Sequence, residues 1–466
     1  VATQPFTVTV ASQARAGVNV IARLAPGETP GLLLLAHYDT PLTGGRDNLA
    51  AVAALVEIAR IFAQDRPAVP VTLLFADSGE YGRAWGARAY AQALPAGTRP
   101  LAALALEAPD GQAWAGLRVD GAGYLAGYAP VWLRQATLEA AALAGAEAAE
   151  AQGLDEAAAR ALPFEPASQA WLLTAGVPAV RLSPQPGAGN TAGLPALGRT
   201  VETWTRGLAA RSALLPRAAA DEWRLEPGRS LPVWAMRLAT LLPLLPLLLA
   251  AGLALWAERP DRRLFLPELV ALGGAGLPLL NGLAAFYALV RLGWLPAYEL
   301  FPAAPGDPFL LQPADWAVLA ALAVAGLSVW DIWRVRGWGA LAGRLRVPSR
   351  RVTLLLVFAL LALGLWAFNG FAAALLLAPA GWLWPWIRPS RFPAGRALNV
   401  LLALGGLLPA AGVAAGLAFT PGLGLAWWFL LTGAVYGLFP LPAVLAFAVG
   451  LALFVRFLSL GRQPVE

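Results

Sequence analysis

One imidazole and a handful of carboxylates carry the chemistry that can be read from this chain. His37 is the only histidine among the 466 residues. It follows an apolar run, and Asp39 stands two residues further on. Asp47 and Asn48 open a helical stretch after the Gly44-Gly45 turn, Asp77 and Glu80 follow a second apolar run, and Glu107 follows a third. One histidine with several carboxylates suits a hard or borderline divalent cation, and zinc is favoured where imidazole takes part. Each residue also has a plainer role. Asp47 would serve as a helix N-cap, a lone histidine is commonly a buried, hydrogen-bonded residue, and Glu80 and Glu107 taken singly are ordinary surface carboxylates. Cysteine is absent, which excludes a disulfide framework, a thiolate metal site and a cysteine nucleophile.

The elements that must position these groups follow from periodicity. Apolar runs at 32–36, 69–75, 101–106 and 177–182 read as buried strands, stretches 47–64 and 84–94 as helices, and an Ala/Glu-rich stretch at 136–151 as a further helix. Strands alternating with helices predict an α/β layer with a mostly parallel sheet. In such sheets functional groups collect at the carboxyl ends of strands, where His37, Asp77, Glu80 and Glu107 fall.

The character of the chain changes near Ser230. Residues 1–215 are expected to form the α/β domain, 216–235 a linker, and 236–466 an all-α polytopic transmembrane domain of about eight helices, because apolar stretches there have the length that spans a bilayer. The candidate spans lie near 238–257, 265–290, 315–334, 352–368, 370–387, 397–418, 422–438 and 441–460. The chain is 58% hydrophobic with net charge +6, and its basic residues are all arginine. Arg259, Arg262 and Arg263, then Arg334 to Arg351, then Arg388, Arg391 and Arg396 occupy alternate loops. That bias places these loops in the cytoplasm and residues 1–230 outside it, in a multi-pass protein of the cell membrane. It accounts for the basic charge through the lipid bilayer and leaves no need for nucleic acid. Arg456 and Arg462 fit an outside carboxyl terminus poorly. Tryptophans near span ends, among them Trp234, Trp256, Trp382, Trp384 and Trp386, read as interfacial anchors, and Gly405-Gly406 and 410–416 as close helix packing. Glu268 and Asp331 lie toward span ends, and the scarcity of charge at mid-membrane disfavours ion-coupled transport. A chain beginning at Val1 is expected to have followed a removed signal or anchor segment.

Order and spacing add a resemblance. The blocks Ala36-His37-Tyr38-Asp39-Thr40, Gly45-Arg46-Asp47-Asn48 with the helix after it, Phe75-Ala76-Asp77-Ser78-Gly79-Glu80-Tyr81-Gly82, Leu106-Glu107-Ala108 and Ala175-Gly176-Val177-Pro178-Ala179-Val180 resemble metallopeptidase family 28. That family holds zinc aminopeptidases, glutaminyl cyclases and glutamate carboxypeptidases, and the membrane-bound members of eukaryotic endomembranes share the Leu-Glu-Ala block. The resemblance implies a zinc-aminopeptidase-like fold and a peptide or protein as substrate or ligand. It implies that His37 and Glu107 are terminal ligands of one zinc, that Asp47 bridges two, that Glu80 serves the second, and that Asp39 orients His37.

The sequence departs from that pattern where protons and the second metal are handled. Gly79 stands where the family places its general-base glutamate, Asn190-Thr191 replaces a His-Thr pair, and Gln169 stands where an acidic residue is expected beside Ser168. Glycine cannot move a proton, and loss of a positioned acid/base removes on the order of 10²–10⁴ in rate. Asp77 is the candidate substitute base. The expectation is a membrane-anchored zinc metallopeptidase-like protein of aminopeptidase type with an incomplete di-zinc site, holding one zinc and weakly active or inactive. The alternative is a non-catalytic extracytoplasmic binding or scaffolding module. Glutaminyl cyclase chemistry is disfavoured, because its single zinc resembles the site that loses its histidine.

Overall fold

The run Leu32–Leu35 is wholly buried, as a strand with other strands on both edges and helices over its faces must be. In the computed structural model it forms β3 (Leu32–His37), near the middle of an eight-stranded sheet. The structure describes residues 1–10, 13–24, 30–39, 48–78, 84–108, 114–124, 127–162, 167–186, 193–216, 222–258, parts of 268–288, 347–388, 390, 392–419 and 441–460. The chain divides into two units, the first running from Val1 to Met236 and the second beginning at Arg237.

In the first unit a hairpin of β1 (Ala2–Val10) and β2 (Gln13–Leu24) leads to β3, α1 (Leu49–Gln64), β4 (Val71–Ala76), α2 (Trp85–Ala93), β5 (Ala102–Leu106) and β6 (Trp114–Asp120). Then follow α3 (Val131–Leu143), β7 (Ala148–Glu150), α4 (Gly153–Ala161), α5 (Ser168–Thr174), β8 (Ala179–Pro186), α6 (Leu194–Ala210) and a second hairpin, β9 (Glu222–Glu226) and β10 (Arg229–Pro232). The sheet order is β1-β2-β4-β3-β5-β8-β6-β7. Its centre, β4-β3-β5-β8, is parallel, while β2 joins β4 and β6 joins β8 antiparallel. The sheet is therefore mixed, with a parallel middle, where a mostly parallel one was expected. Strand β2 escapes an apolar-run reading because it buries Gly17 and Asn19 and exposes Val18.

Two other expectations change. The helix expected over 136–151 begins at Val131 and stops at Leu143. Gly145 takes φ +75 and Ala146 donates its N–H back to the Ala141 carbonyl. This left-handed cap ends the helix and frees 148–150 to join the sheet as β7. The stretch expected as a linker contains β9 and β10, and Arg224 of β9 pairs with buried Glu150 of β7. It belongs to the first unit because leaving those charges unpaired in the interior would be costly.

The second unit is helical. It contains the end of α7 (Val233–Leu241), α8 (Leu245–Glu258), α9 (Val347–Phe368), a broken helical run over 370–386, α10 (Pro393–Phe419) and α11 (Leu441–Leu460). Among the described residues, Val233–Ala257, Arg350–Phe368 and Pro393–Gly412 are long and apolar enough to cross a membrane, and Leu445–Leu458 is a shorter apolar stretch. The spans expected near 315–334 and 422–438, and much of 265–290, lie outside the described residues. Asn369 turns the chain between helices, its side chain accepting from the Ala372 N–H at 3.0 Å.

Exposed Trp234, Trp256, Trp382 and Trp386 suit interfacial positions. Trp384 does not: it is buried against Phe358 and Phe457, with ring centroids 4.8 and 5.0 Å away. Its indole N–H donates to the Ala403 carbonyl at 3.2 Å, so it is a core residue of the bundle. Gly406 lies under it, and a Cβ there would come within 2.7 Å of Ala380 Cα and of the Trp384 ring nitrogen. Gly406→Ala is expected to destabilise the bundle by about 1–3 kcal/mol through overpacking, seen as a lower thermal midpoint of the full chain in detergent. Gly412→Ala, where a Cβ meets nothing within 4 Å among the described residues, should leave that midpoint in place.

Candidate functional site

At the carboxyl edge of the parallel strands, the ends of β3 and β5 are tied by one side chain. Asn48, buried just before α1, donates its amide to the His37 carbonyl at 3.1 Å and to the Leu106 carbonyl at 3.2 Å. Its side-chain oxygen accepts from the Ala108 N–H at 2.6 Å. Helix α1 thus starts at Leu49 rather than at Asp47, and Asn48 at its N-cap position makes no side-chain cap bond. The sequence signal was present as an Asp-Asn pair before a helix, but capping was the obvious use for it. Instead Asn48 satisfies two carbonyls and one N–H that have left the ladder, and so sets His37 and Glu107 at a fixed separation.

His37 ends β3 and is buried. Its Nδ1 stands 3.3 Å from Asp39 Oδ1. Tyr38 between them donates its hydroxyl to the Val18 carbonyl at 2.6 Å. Partial burial of the phenol, with Asp77 and Asp39 nearby, pushes its pKa up to about 12.

Asp77 follows β4. Its Oδ2 accepts from the Val18 N–H at 2.8 Å and its Oδ1 from the Ser78 N–H at 2.7 Å. Its own N–H donates to Asn19 Oδ1 at 3.1 Å, and Asn19 donates to the Gly86 carbonyl at 2.8 Å. Both carboxylate oxygens accept from backbone amides, so Asp77 holds the chain where it leaves β4. Ser78 and Ala84 take positive φ, +56 and +43, which is uncommon for residues with a Cβ and collects near functional segments. A Cβ on Gly86 would lie 2.3 Å from Asn19 Oδ1.

Glu107 follows β5, and its side chain is partly exposed. Arg181 on β8 is the neighbour that sequence reasoning missed. It sits opposite Ala105 of β5 and Asp120 of β6, so the period-two alternation of strands turns it to the face that carries Glu107. One guanidinium nitrogen reaches Glu107 Oε2 at 2.9 Å and another reaches Asp120 Oδ2 at 2.6 Å. Burial works to raise the Asp120 carboxyl, but Arg181, the Ala122 N–H and Arg118 outweigh it and hold the pKa below the usual carboxylate range.

His37, Asp39 and Glu107 are thus brought to one edge, with Asp77 beside the turn after β4. Asp47, Gly79, Glu80, Asn190 and Thr191 lie outside the described residues. Gln169 is buried on α5 and donates to the Ala122 carbonyl at 3.2 Å. Among the described residues no three His, Asp or Glu side chains form a metal-binding group. His37 fits the zinc that the resemblance implies, since a ring whose Nδ1 faces Asp39 would meet a metal through Nε2. Glu107 in this arrangement fits poorly, because one of its oxygens is held by a permanent cation.

Residues 19–114 match the family model for Peptidase family M28. The match spans His37, Asp47, Glu80 and Glu107 and stops before Arg181 and Asn190. Among solved structures, a leucine aminopeptidase precursor from Bacteroides thetaiotaomicron VPI-5482 is 18% identical with a TM-score of 0.34, over 44% of this chain and 82% of that one. A glutaminyl cyclase of the same species is 17% identical, with TM-score 0.34 over 44% and 83% of the two chains. A Zn-dependent exopeptidase from Parabacteroides distasonis ATCC 8503 is 16% identical, with TM-score 0.33 over 44% and 84%. No curated protein matches this chain significantly.

Two outcomes are expected from this geometry. Asn48→Ala orphans the His37 and Leu106 carbonyls and the Ala108 N–H, and should cost the first unit about 2–4 kcal/mol, measured by pulse proteolysis of the full chain. Because the folded Asp120 pKa is depressed, its contribution is present above the unfolded carboxylate value of about 3.9 and is lost as pH falls through the lower folded value. The stability gap between the wild type and Asp120→Asn should therefore close as pH falls below about 4.

Proposed function

We propose, on the match of residues 19–114 to Peptidase family M28, that this is a membrane-anchored zinc-peptidase-like protein. Its first unit faces away from the cytoplasm, engages peptides or proteins, and holds one zinc through His37, with hydrolysis weak or lost. The observation that carries this reading is the His37–Asp39 pair, 3.3 Å apart at the end of β3. It retains an oriented imidazole where the equipment for proton transfer is missing. A zinc ion, when bound, supplies Lewis acidity toward a carbonyl and activates water.

The chain's own residues do the rest. Asp39, 3.3 Å from Nδ1 of His37, would keep a proton on that nitrogen and so leave Nε2 to meet a metal. Asp47 is the carboxylate proposed to complete that site. Glu80 and Asn190 would hold a second metal poorly, since an amide oxygen is a weak zinc ligand and suits calcium or magnesium better. Gly79 offers no group to take a proton from water or return it to a leaving amine, and Asp77 is occupied by the amides of Val18 and Ser78. Among the described residues, three helices of the second unit that are long and apolar enough to cross a membrane support a lipid bilayer as this domain's neighbour, and nothing in the charge pattern calls for nucleic acid. A non-catalytic binding module is favoured by one specific contact, the Arg181–Glu107 ion pair at 2.9 Å.

Metal content of the purified full chain, measured beside His37→Ala with release of amino acids from short peptides, tests the reading. About one zinc per chain, lost in the variant, is expected, together with turnover that Gly79→Glu raises by about 10²–10⁴. Zinc without turnover in Gly79→Glu would establish the binding module. Absence of zinc from the wild type would overturn the metal reading.

A further inference from the structure

We propose that Arg181 is a resident cation that removes Glu107 from the metal-ligand set, so that a metal held through His37 gains Glu107 only when the guanidinium releases it. This rests on the His37 metal reading above. Arg181 is anchored from the far side by Asp120, at 2.6 Å, and is itself mostly buried. Register places Arg181 directly between β5 and β6, so the contact follows from strand pairing and not from a chance surface rotamer. A guanidinium stays charged at every physiological pH. It offers Glu107 the positive charge that a metal would otherwise supply, and it repels a divalent ion approaching the same oxygen. Asp120 makes this arrangement stable: a buried carboxylate deprived of its arginine would stand uncompensated, so the guanidinium is held at its post.

Zinc affinity of the full chain in detergent, measured by competition with a chromogenic chelator, tests the proposal. Arg181→Met combined with Asp120→Asn removes the cation without stranding its buried partner. Affinity should rise at least about tenfold, the scale on which outer partners alter metal binding. Adding Glu107→Gln to that pair should abolish the gain, while Glu107→Gln alone, a change at a partly exposed side chain, should leave wild-type affinity unchanged. The proposal is overturned if Glu107→Gln alone weakens zinc binding, or if the Arg181/Asp120 pair binds like the wild type. Should zinc binding survive His37→Ala, it is the metal reading that fails instead.

In the second unit Glu268 is fully buried between two arginines. Its Oε2 lies 3.2 Å from Arg350 Nε and its Oε1 3.0 Å from Arg456 Nε. Arg350 is near the start of α9 and Arg456 near the end of α11. A helix of 22 residues such as α9 is about 33 Å long, comparable to the bilayer core of about 30 Å. Side chains meeting on one carboxylate must therefore come from the same end of the bundle. We infer that the carboxyl end of α11 lies on the same membrane face as the start of α9. The number of crossings between Arg350 and Arg456 is then even. The expected five spans between them give way to an even number, and Arg456 and Arg462 join the arginine-rich face to which positive charge belongs.

The absence of cysteine makes the test direct. Single cysteines are introduced as Arg344→Cys and Arg462→Cys and treated with a membrane-impermeant maleimide on intact and permeabilised cells. Like reactivity at the two positions, both protected until permeabilisation, is expected; opposite sidedness would overturn the inference. Extraction by alkaline carbonate, which releases chains that do not cross the bilayer, would instead overturn the membrane reading on which this rests.

Discussion

The first unit depends on how the ends of two buried parallel strands are kept together once their ladder stops. A carbonyl leaving a central strand has no water to turn to, and β3 and β5 both end in the interior. Asn48 meets this constraint with three hydrogen bonds. Because His37 and Glu107 are the residues at those ends, satisfying the backbone and setting the candidate ligands apart are one event. The Asp77 turn does the same for β4, using a carboxylate and Asn19 to hold Val18, Ser78 and Gly86.

Charge in the interior is handled by a common device in both units: arginines are shared among carboxylates so that none is stranded. Arg134 sits between Glu150 and Glu156, Arg160 shares Glu156, and Arg224 shares Glu150. Tyr128 offers its ring to Arg134 and Arg160, 4.8 and 4.5 Å from its centroid. That cluster joins α3, β7, α4 and β9, and it is why the second hairpin is part of the first unit. Arg181 between Glu107 and Asp120 is another instance, at the functional edge. Glu268 with Arg350 and Arg456 is a third, among the apolar helices. Such pairs contribute modestly to net stability but are costly to break from one side, so they specify arrangement more than they strengthen it.

At the site, these two constraints leave an oriented histidine beside a carboxylate already provided with its cation. A peptidase needs a group that can accept a proton from water and pass it on. On the proposed reading Gly79 offers no such group, and Asp77, close by in sequence, accepts hydrogen bonds from backbone amides. What that reading retains is the part that binds and orients.

The sequence by itself determined the buried strands at the centre of the sheet, the position of His37, Asp77 and Glu107 at their ends, and the change to apolar helices after residue 230. Those features are written locally, in runs of apolar residues and in the order of motif blocks. The edge hairpin, the strand β7 and the early stop of α3 were not legible. β2 buries glycine and asparagine in place of its valine, and the end of α3 turns on one left-handed glycine. Asn48, Arg181 and the Glu268 cluster were decided only by tertiary structure. Their partners lie 58, 74 and 188 residues away in the chain, and a polar side chain carries no local mark of which distant backbone group or carboxylate it will meet. Strand register and helix packing make those meetings, because burial forces every polar group to find a partner wherever the fold happens to bring one.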